Sequence, residues 1–444
     1  MSDILPITPH FTDTTIVAYS HNKAINYQQF LSDVASLRQQ LPSQRYMINL
    51  CHDHYHFMVS FTAALLCQQT TILPSNQKTF TLQQLQQGYS DCYCMVDSDF
   101  DDDSLTIYRY ATSIQQTLHP SLPLTIANDT VAAILFTSGS TGKPQAHTKT
   151  WQQLMIGVQA TTQALKLPKH CTIVATIPAQ HMFGFEHSIC LPMQNGYAIA
   201  ASPPFFPQDI ANTVKNIASP KVLLTTPLHI KACLEADVNL SEVDLIISAT
   251  SPLTTQLAQQ AERRWQTCLV EIYGSTETGA MAMRHTAQEN IWQTHENITI
   301  VQQQNNFYAI NKHVPPAILL HDQLQLSDEQ HFLLLGRDED LINIAGKRAS
   351  LTDLTLKLTR IAGIEDAILF MPKTSQAYTP RLTALVVSPT LSSQQIKQQL
   401  ATMIDDAFLP RPIIKLSHLP RNTLGKIPYQ TLLHLAGQYD NTQF

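Results

Sequence analysis

Val131-Ala132-Ala133-Ile134-Leu135-Phe136 runs directly into Thr137-Ser138-Gly139-Ser140-Thr141-Gly142-Lys143-Pro144, and this passage from apolar run to hydroxyl- and glycine-rich turn organises the reading of the whole chain. The apolar run predicts a buried strand. The turn after it offers four hydroxyls, two glycines and a lysine. Successive backbone N–H groups in such a turn form a concave anion site, to which hydroxyls and Lys143 add donors suited to phosphate oxygens. The Walker pattern is not met, because the stretch from Gly139 to Lys143 is too short and Pro144 stands where that motif has Ser or Thr. The same Ser/Thr/Gly composition also makes ordinary loops; the strand before it and the lysine after it favour the anion site.

On both sides of this passage short β-branched runs alternate with helical patterns: Tyr46 to Cys51 then His54 to Gln68, Thr172 to Ile177, Lys221 to Thr225, Leu245 to Ser248 then Leu253 to Trp265, and Leu269 to Tyr273. The alternation predicts an α/β fold with largely parallel sheets. A polar, charged step at Gly336-Arg337-Asp338-Glu339-Asp340 separates the apolar strand Phe332 to Leu335 from a further unit. That unit reads as strand, helix (Thr352 to Ile361), two strands (Ala367 to Met371 and Leu382 to Ser388), helix (Ser392 to Phe408) and a Pro- and Gly-punctuated end. The expected domains are therefore 1–336, a large α/β unit, and 337–444, a small α+β unit.

At 444 residues the chain is long enough to enclose a substrate between packed units. A net charge of -6 leaves no basic excess to hold a phosphate backbone by counterion release, which argues against a nucleic-acid partner. Met1 to Phe11 contains Asp3 and no basic region. The most apolar stretch, Phe57 to Cys67, is broken by Ser60 and Thr62 and is too short to span a bilayer. The expectation is a cytoplasmic protein without membrane insertion. The 8 cysteines are scattered and form no Cys-x-x-Cys pair, which predicts free, mostly buried thiols.

Glycine is scarce, with 13 in the chain, so its placement is informative: Gly139, Gly142, Gly274, Gly279, Gly336, Gly346 and Gly425 all fall in four short polar segments. The second of these, Tyr273-Gly274-Ser275-Thr276-Glu277-Thr278-Gly279, again follows an apolar strand. A carboxylate among hydroxyls suits a hard cation such as Mg²⁺, which takes one or two carboxylates plus phosphate oxygens. The segment fits equally the capping box of a following helix.

Taken together, the segments 137–144 and 273–279 resemble the phosphate loop and the Tyr-Gly-x-Thr-Glu signature of the adenylate-forming superfamily, which includes acyl- and aryl-CoA synthetases, peptide-synthetase adenylation domains and luciferases. Two further segments match in order. Gly336 to Arg348 resembles the family's hinge and the loop after it, and Leu419-Pro420-Arg421-Asn422-Thr423-Leu424-Gly425-Lys426-Ile427 resembles its catalytic-lysine segment.

The resemblance implies a large adenylation domain with a small mobile lid, ATP and Mg²⁺ as cofactors, a small carboxylic acid as substrate, and acyl carrier protein or CoA as thiol partner. It implies that Thr137, Ser138, Gly139, Ser140, Thr141, Gly142 and Lys143 hold the ATP phosphates. Ala249-Thr250-Ser251, Tyr273 and Gly274 border adenine, Thr276 bonds the α-phosphate, Glu277 holds Mg²⁺, and Asp322 and Arg337 bind ribose. Lys426 bridges substrate carboxylate, ribose and α-phosphate. Asp338-Glu339 is the implied hinge, and Gly346, Lys347 and Arg348 face the pantetheine arm. Pro178-Ala179-Gln180-His181-Met182-Phe183-Gly184 resembles the segment along the family's acyl channel, which places His181, Phe183, Thr250, Gly274 and Gly279 on the acyl side. A histidine in an apolar run is also commonly structural, and a lone lysine commonly a surface group.

The chain departs from the family between Gly279 and Asp322. Gly-Glu-Leu and Thr-Gly-Asp are usual there, whereas this chain has Phe307-Tyr308-Ala309-Ile310 and Leu320-His321-Asp322. Its compactness resembles ligases of aryl polyene or polyketide-like clusters that load an acid onto a carrier protein. Two other functions fit the same residues: a catalytically silent nucleotide-binding module, and acyl-AMP formation without thioester transfer.

Overall fold

The computed structural model describes residues 4–21, 23–100, 102–110, 124–137, 145–304, 306–337, 341–344, 347–372, 381–422 and 425–440. The chain forms two compact units, one of residues 1–298 with 311–315 and one of residues 299–310 with 316–444.

Two large sheets build most of the first unit. In one, the strands run in the order Gln145–Thr150, Val131–Thr137, Thr70–Leu73, Tyr46–Asn49, Cys92–Val96 and Ile107–Arg109. Every pairing in it is parallel except the first. In the other, Cys268–Ser275, Leu245–Ser248, Lys221–Thr225, Thr172–Ala175, Ala198–Ala200 and Ile16–Ser20 are parallel neighbours. The strands Gly279–Arg284 and Trp292–Thr294 extend this sheet antiparallel beyond Cys268–Ser275. Helix His54–Leu66 packs against Thr70–Leu73 and Tyr46–Asn49 of the first sheet and Ala198–Ala200 of the second, so it lies between them. Its composition anticipates this place: Phe57, Met58, Val59, Phe61, Ala63, Ala64 and Leu65 are all buried, leaving no polar stripe. On the outer face of the second sheet, Ala258, Ala261 and Trp265 of helix Thr255–Trp265 pack with Leu223, Ile246 and Leu269.

The second unit carries the antiparallel pairs Asp322–Leu326 with His331–Arg337 and Leu341–Ile344 with Lys347–Ser350. It ends in a sheet of Asp366–Phe370, Thr383–Val387 and Ile413–Lys415. Leu354, Leu358, Ile396 and Leu400 from helices Leu351–Thr359 and Ser393–Ala401 bury one face of that sheet. The helix expected over Ser392 to Phe408 is broken: it stops at Ala401, and only Asp406–Phe408 is again helical, capped by Asp405. The cysteines are free; Cys51, Cys92, Cys94, Cys171, Cys190 and Cys233 are buried, while Cys268 is exposed. Among the described residues no helix is long and apolar enough to cross a membrane.

Helix His54–Leu66 is anchored at its start by Asp97, at the end of the Cys92–Val96 strand, which accepts from the His52 and Asp53 amides at 2.8 and 2.9 Å and meets His56 Nδ1 at 3.1 Å. Burial pulls the His56 pKa down, but the Asp97 hydrogen bond and the carboxylates of Asp53, Asp97 and Asp33 outweigh it, and the net shift is upward. A histidine with a raised folded-state pKa contributes stability that is complete below its ordinary value of about 6.5 and is lost as pH rises through the folded value. His56→Gln is therefore expected to lower the denaturation midpoint more at about pH 6 than at about pH 9. Equal losses in denaturant titrations at the two pH values would remove Asp97–His56 from the stability account.

Candidate active site

Strand Val131–Thr137, inside the first sheet, ends at Thr137; residues 138–144, and with them Ser138 to Lys143 of the expected phosphate loop, lie outside the described residues. The chain returns antiparallel as Gln145–Thr150, so His147 and Lys149, two apart on a strand, share a face. His147 Nε2 lies 3.2 Å from the Thr137 hydroxyl and 3.4 Å from Glu277 Oε1. Lys149 Nζ donates to the Glu277 carbonyl at 2.6 Å. Strand Val131–Thr137 and the turn at Glu277, well over a hundred residues apart in sequence, thus meet through two side chains that the sequence reading passed over. Their signal was present, as polar residues at alternate positions in the strand after the turn.

The turn itself is a hairpin between Cys268–Ser275 and Gly279–Arg284. This overturns the alternative of a capping box, because a strand and not a helix follows Glu277. Gly279 makes the reversal with φ +70°. Gly274 stands opposite Ala280, and a Cβ on it would lie 2.1 Å from the Gly279 carbonyl oxygen, so the two strands approach as only glycine allows. Ser275 and Thr278 tie the turn internally: the Ser275 amide donates to Thr278 Oγ1 at 2.9 Å and the Thr278 amide to Ser275 Oγ at 3.2 Å.

Glu277 remains about a third exposed. Burial pushes its pKa up, but hydrogen bonds from Ser275 and its own backbone, with His147 and Lys149, bring it below the ordinary value. An ionised, accessible carboxylate among the hydroxyls of Ser275, Thr276 and Thr278 is a hard-oxygen set that fits Mg²⁺ bound together with phosphate. Tyr273 is half-buried, with its ring tilted against Trp292 at 5.5 Å.

Ala249, Thr250 and Ser251 follow strand Leu245–Ser248, whose parallel neighbour is Cys268–Ser275. Thr250 adopts φ +78°, a left-handed conformation rare for a β-branched residue and of the kind that collects at ligand sites.

Among the residues expected on the acyl side, His181 caps the short helix Met182–Gly184 by accepting from the Phe183 amide at 3.3 Å. Phe183 is buried against the His187 ring at 4.7 Å. The chain then enters a π-helical turn, Phe185–Cys190, which places Glu186 in the protein interior. Glu186 Oε2 accepts from the Ala280 amide at 2.9 Å, just past the signature turn. Burial raises its pKa to about 7 against the pull of that amide and of Lys149. Glu186 was not singled out from sequence, although an acid inside the apolar run Met182 to Met193 is a marker of a special environment.

In the second unit the Asp322–Leu326 and His331–Arg337 strands set Asp322 directly opposite Arg337. Asp338, Glu339 and Gly346 lie outside the described residues; Lys347 and Arg348 begin strand Lys347–Ser350, with their backbones paired to Ile344 and Asn343. Lys426 is exposed. Its amide donates to Asn422 Oδ1 at 2.9 Å and its carbonyl accepts from the Asn422 amide at 2.8 Å. Gly425 has φ +75°, and Arg421 bonds the Gly425 carbonyl at 2.8 Å while forking onto both Asp366 oxygens at 2.8 Å. The lysine therefore rises from a braced main chain and not from a loose tail.

Residues 34–301 match the family model described as AMP-binding enzyme. The chain belongs to the AMP-binding enzyme family. It is thereby an enzyme of the adenylate-forming superfamily. Among curated relatives, 4-coumarate–CoA ligase of Halorhodospira halophila is 25% identical over 66% of this chain and 73% of its own length. The 3,4-dihydroxybenzoate–[aryl-carrier protein] ligase of Bacillus anthracis is 20% identical over 67% and 72%. The fold matches o-succinylbenzoate CoA synthetase (MenE) from Bacillus subtilis in complex with ATP and magnesium ion, with a TM-score of 0.83 at 14% identity over 97% of this chain and 100% of that one. It also matches ATP-bound MatB from Rhodopseudomonas palustris, with a TM-score of 0.81 at 14% identity over 95% of each chain.

Because a Cβ at Gly274 has nowhere to go, Gly274→Ala is expected to weaken ATP binding at least about tenfold, or about 1.4 kcal/mol, while the packed core around Trp265 stays folded. Isothermal titration with ATP checks this, and undiminished affinity in a variant of normal melting temperature would refute the close-approach argument.

Proposed function

We propose that this enzyme activates an aromatic or other apolar carboxylic acid with ATP and passes the acyl group to a pantetheine thiol. An oxygen of the acid attacks the α-phosphorus, pyrophosphate leaves, and the product is an acyl-adenylate. The thiol of CoA or of a carrier protein's phosphopantetheine then attacks the acyl carbon and AMP leaves. The observation that carries this reading is the meeting of Thr137, His147 and the Glu277 turn, which joins the end of the phosphate-loop strand to the carboxylate best suited to a metal–phosphate complex.

The first step brings two anions together, so catalysis is chiefly positioning and charge compensation. Thr137 to Lys143 hold phosphate oxygens, Thr276 bonds the α-phosphate, and Glu277 holds Mg²⁺, which when bound neutralises phosphate charge. Tyr273, Gly274 and Ala249 to Ser251 seat the adenine, and Asp322 with Arg337 seats the ribose; their facing register supports that pair. Lys426 supplies a movable positive charge to the reacting carboxylate and α-phosphate, and its bracing by Arg421 and Asp366 supports a lysine presented for work.

Residues 337–444 swing about Asp338-Glu339 for the second step, bringing Gly346, Lys347 and Arg348 toward the thiol. His181, Phe183, Thr250, Gly274 and Gly279 line the acyl side. An aromatic acid is supported by relatives named for 4-coumarate and 3,4-dihydroxybenzoate, and the same two names support CoA and a carrier protein as the candidate acceptors.

ATP–pyrophosphate exchange across a panel of acids is expected to depend on the acid and to be strongest with aromatic members. Its absence with every acid, in protein that binds ATP, would sink the proposal. Lys426→Ala is expected to lower exchange by about 100-fold or more, in line with loss of a transition-state charge, while a supplied acyl-adenylate is still converted to thioester. Survival of both half-reactions would remove Lys426 from its assigned role.

A further inference from the structure

The segment Glu277-Thr278-Gly279-Ala280 is held at both ends by charged side chains that arrive from elsewhere in the first unit. On one side Lys149, from strand Gln145–Thr150, donates to the Glu277 carbonyl at 2.6 Å. On the other, Glu186, from the π-helical turn Phe185–Cys190, accepts from the Ala280 amide at 2.9 Å. Between the two lies Gly279, at φ +70° the most deformable residue of the hairpin.

A carboxylate buried at 3% exposure is a costly way to accept one amide hydrogen bond. An apolar residue of the same volume would fill the site with less desolvation, and replacing buried charges by apolar groups is often stabilising. Lys149 and Glu186 attract one another, each favouring the other's charged form, but among the described residues no close ion pair joins them.

The surroundings are shaped around this carboxylate. A Cβ at Gly157, on helix Trp151–Leu165, would come within 2.9 Å of Oε1, and one at Gly279 within 3.3 Å. Two glycines on separate elements thus make room for an acid that bonds the backbone next to the signature turn. The hydrogen bonds inside the turn, between Ser275 and Thr278, fix its shape but not its placement. Lys149 and Glu186 bond its main chain from other elements of the unit.

We propose that Lys149 and Glu186 are positioning residues, a two-point clamp that fixes the backbone on either side of Gly279 and so sets the direction in which the Glu277 carboxylate is presented. The clamp serves the reaction through Glu277, and in that respect it rests on the reading of Glu277 as the metal-holding carboxylate. Each clamp residue acts by one hydrogen bond to the main chain, so side chains that keep the bond keep the function.

The test compares Lys149→Met and Glu186→Met, which remove the donor and the acceptor at similar volume, with Lys149→Arg and Glu186→Gln, which retain them. Two readouts are taken on the full chain: Mn²⁺ affinity by electron paramagnetic resonance in the presence of a non-hydrolysable ATP analogue, and amide hydrogen exchange of the peptide covering 275–282 without ligand. The methionine variants are expected to weaken Mn²⁺ binding by about tenfold, the usual scale for groups that orient a metal ligand, and to speed exchange at 275–282 with exchange around Trp265 unchanged. The arginine and glutamine variants are expected to stay within about threefold of the parent. Unchanged Mn²⁺ affinity and unchanged exchange in both methionine variants overturn the clamp. Glu277→Gln separates the two layers: if it leaves Mn²⁺ affinity intact, the metal reading of Glu277 fails, and the clamp stands or falls on exchange at 275–282 alone.

Discussion

The approach of Gly274 to the Gly279 carbonyl is the constraint around which the site is arranged. With no Cβ at 274, two strands close to a distance that no other residue permits, and the turn between them carries Thr276 and Glu277 on the hairpin that begins after Tyr273. The parallel sheet delivers this hairpin where Leu245–Ser248 also ends, so Ala249 to Ser251 and the Tyr273 to Gly279 turn come from neighbouring strand ends. Neighbouring ends of parallel strands are where α/β folds commonly place ligands.

Around that hairpin the electrostatics are graded. Glu277 is kept ionised and partly accessible by hydroxyl, backbone and cationic neighbours, while Glu186 is deeply buried with a pKa near 7. Lys149 stands near both carboxylates, and burial pulls its own pKa down against their attraction. One carboxylate is thus held ionised and partly exposed and the other buried against the backbone, a division set by burial together with the hydrogen bonds and charges around each.

Much of this was legible in the sequence. The alternation of strands and helices, the apolar strand before Thr137 and the glycine placement all state local preferences, and local preferences survive folding; the Asp322–Arg337 pair rests instead on the family resemblance. What was missed is non-local. His147 and Lys149 look like ordinary polar residues on a strand until pairing sets them against a turn far away in the chain. Glu186 looks like an anomaly in an apolar run until the π-helical turn directs it to Ala280. The capping-box alternative for Glu277 failed for a related reason: Gly279 at positive φ reverses the chain into a strand, and nothing local to Thr276-Glu277 excludes a helix.

The claim on which all of this turns is that a carboxylate oxygen of the acid becomes bonded to the α-phosphorus. Turnover with ¹⁸O-carboxylate-labelled aromatic acid, ATP, Mg²⁺ and thiol acceptor, followed by mass spectrometry of the nucleotide, examines that bond itself. AMP carrying one ¹⁸O, with unlabelled pyrophosphate, is the expected result. Unlabelled AMP accompanying thioester formation would mean that the acid is activated by some other route.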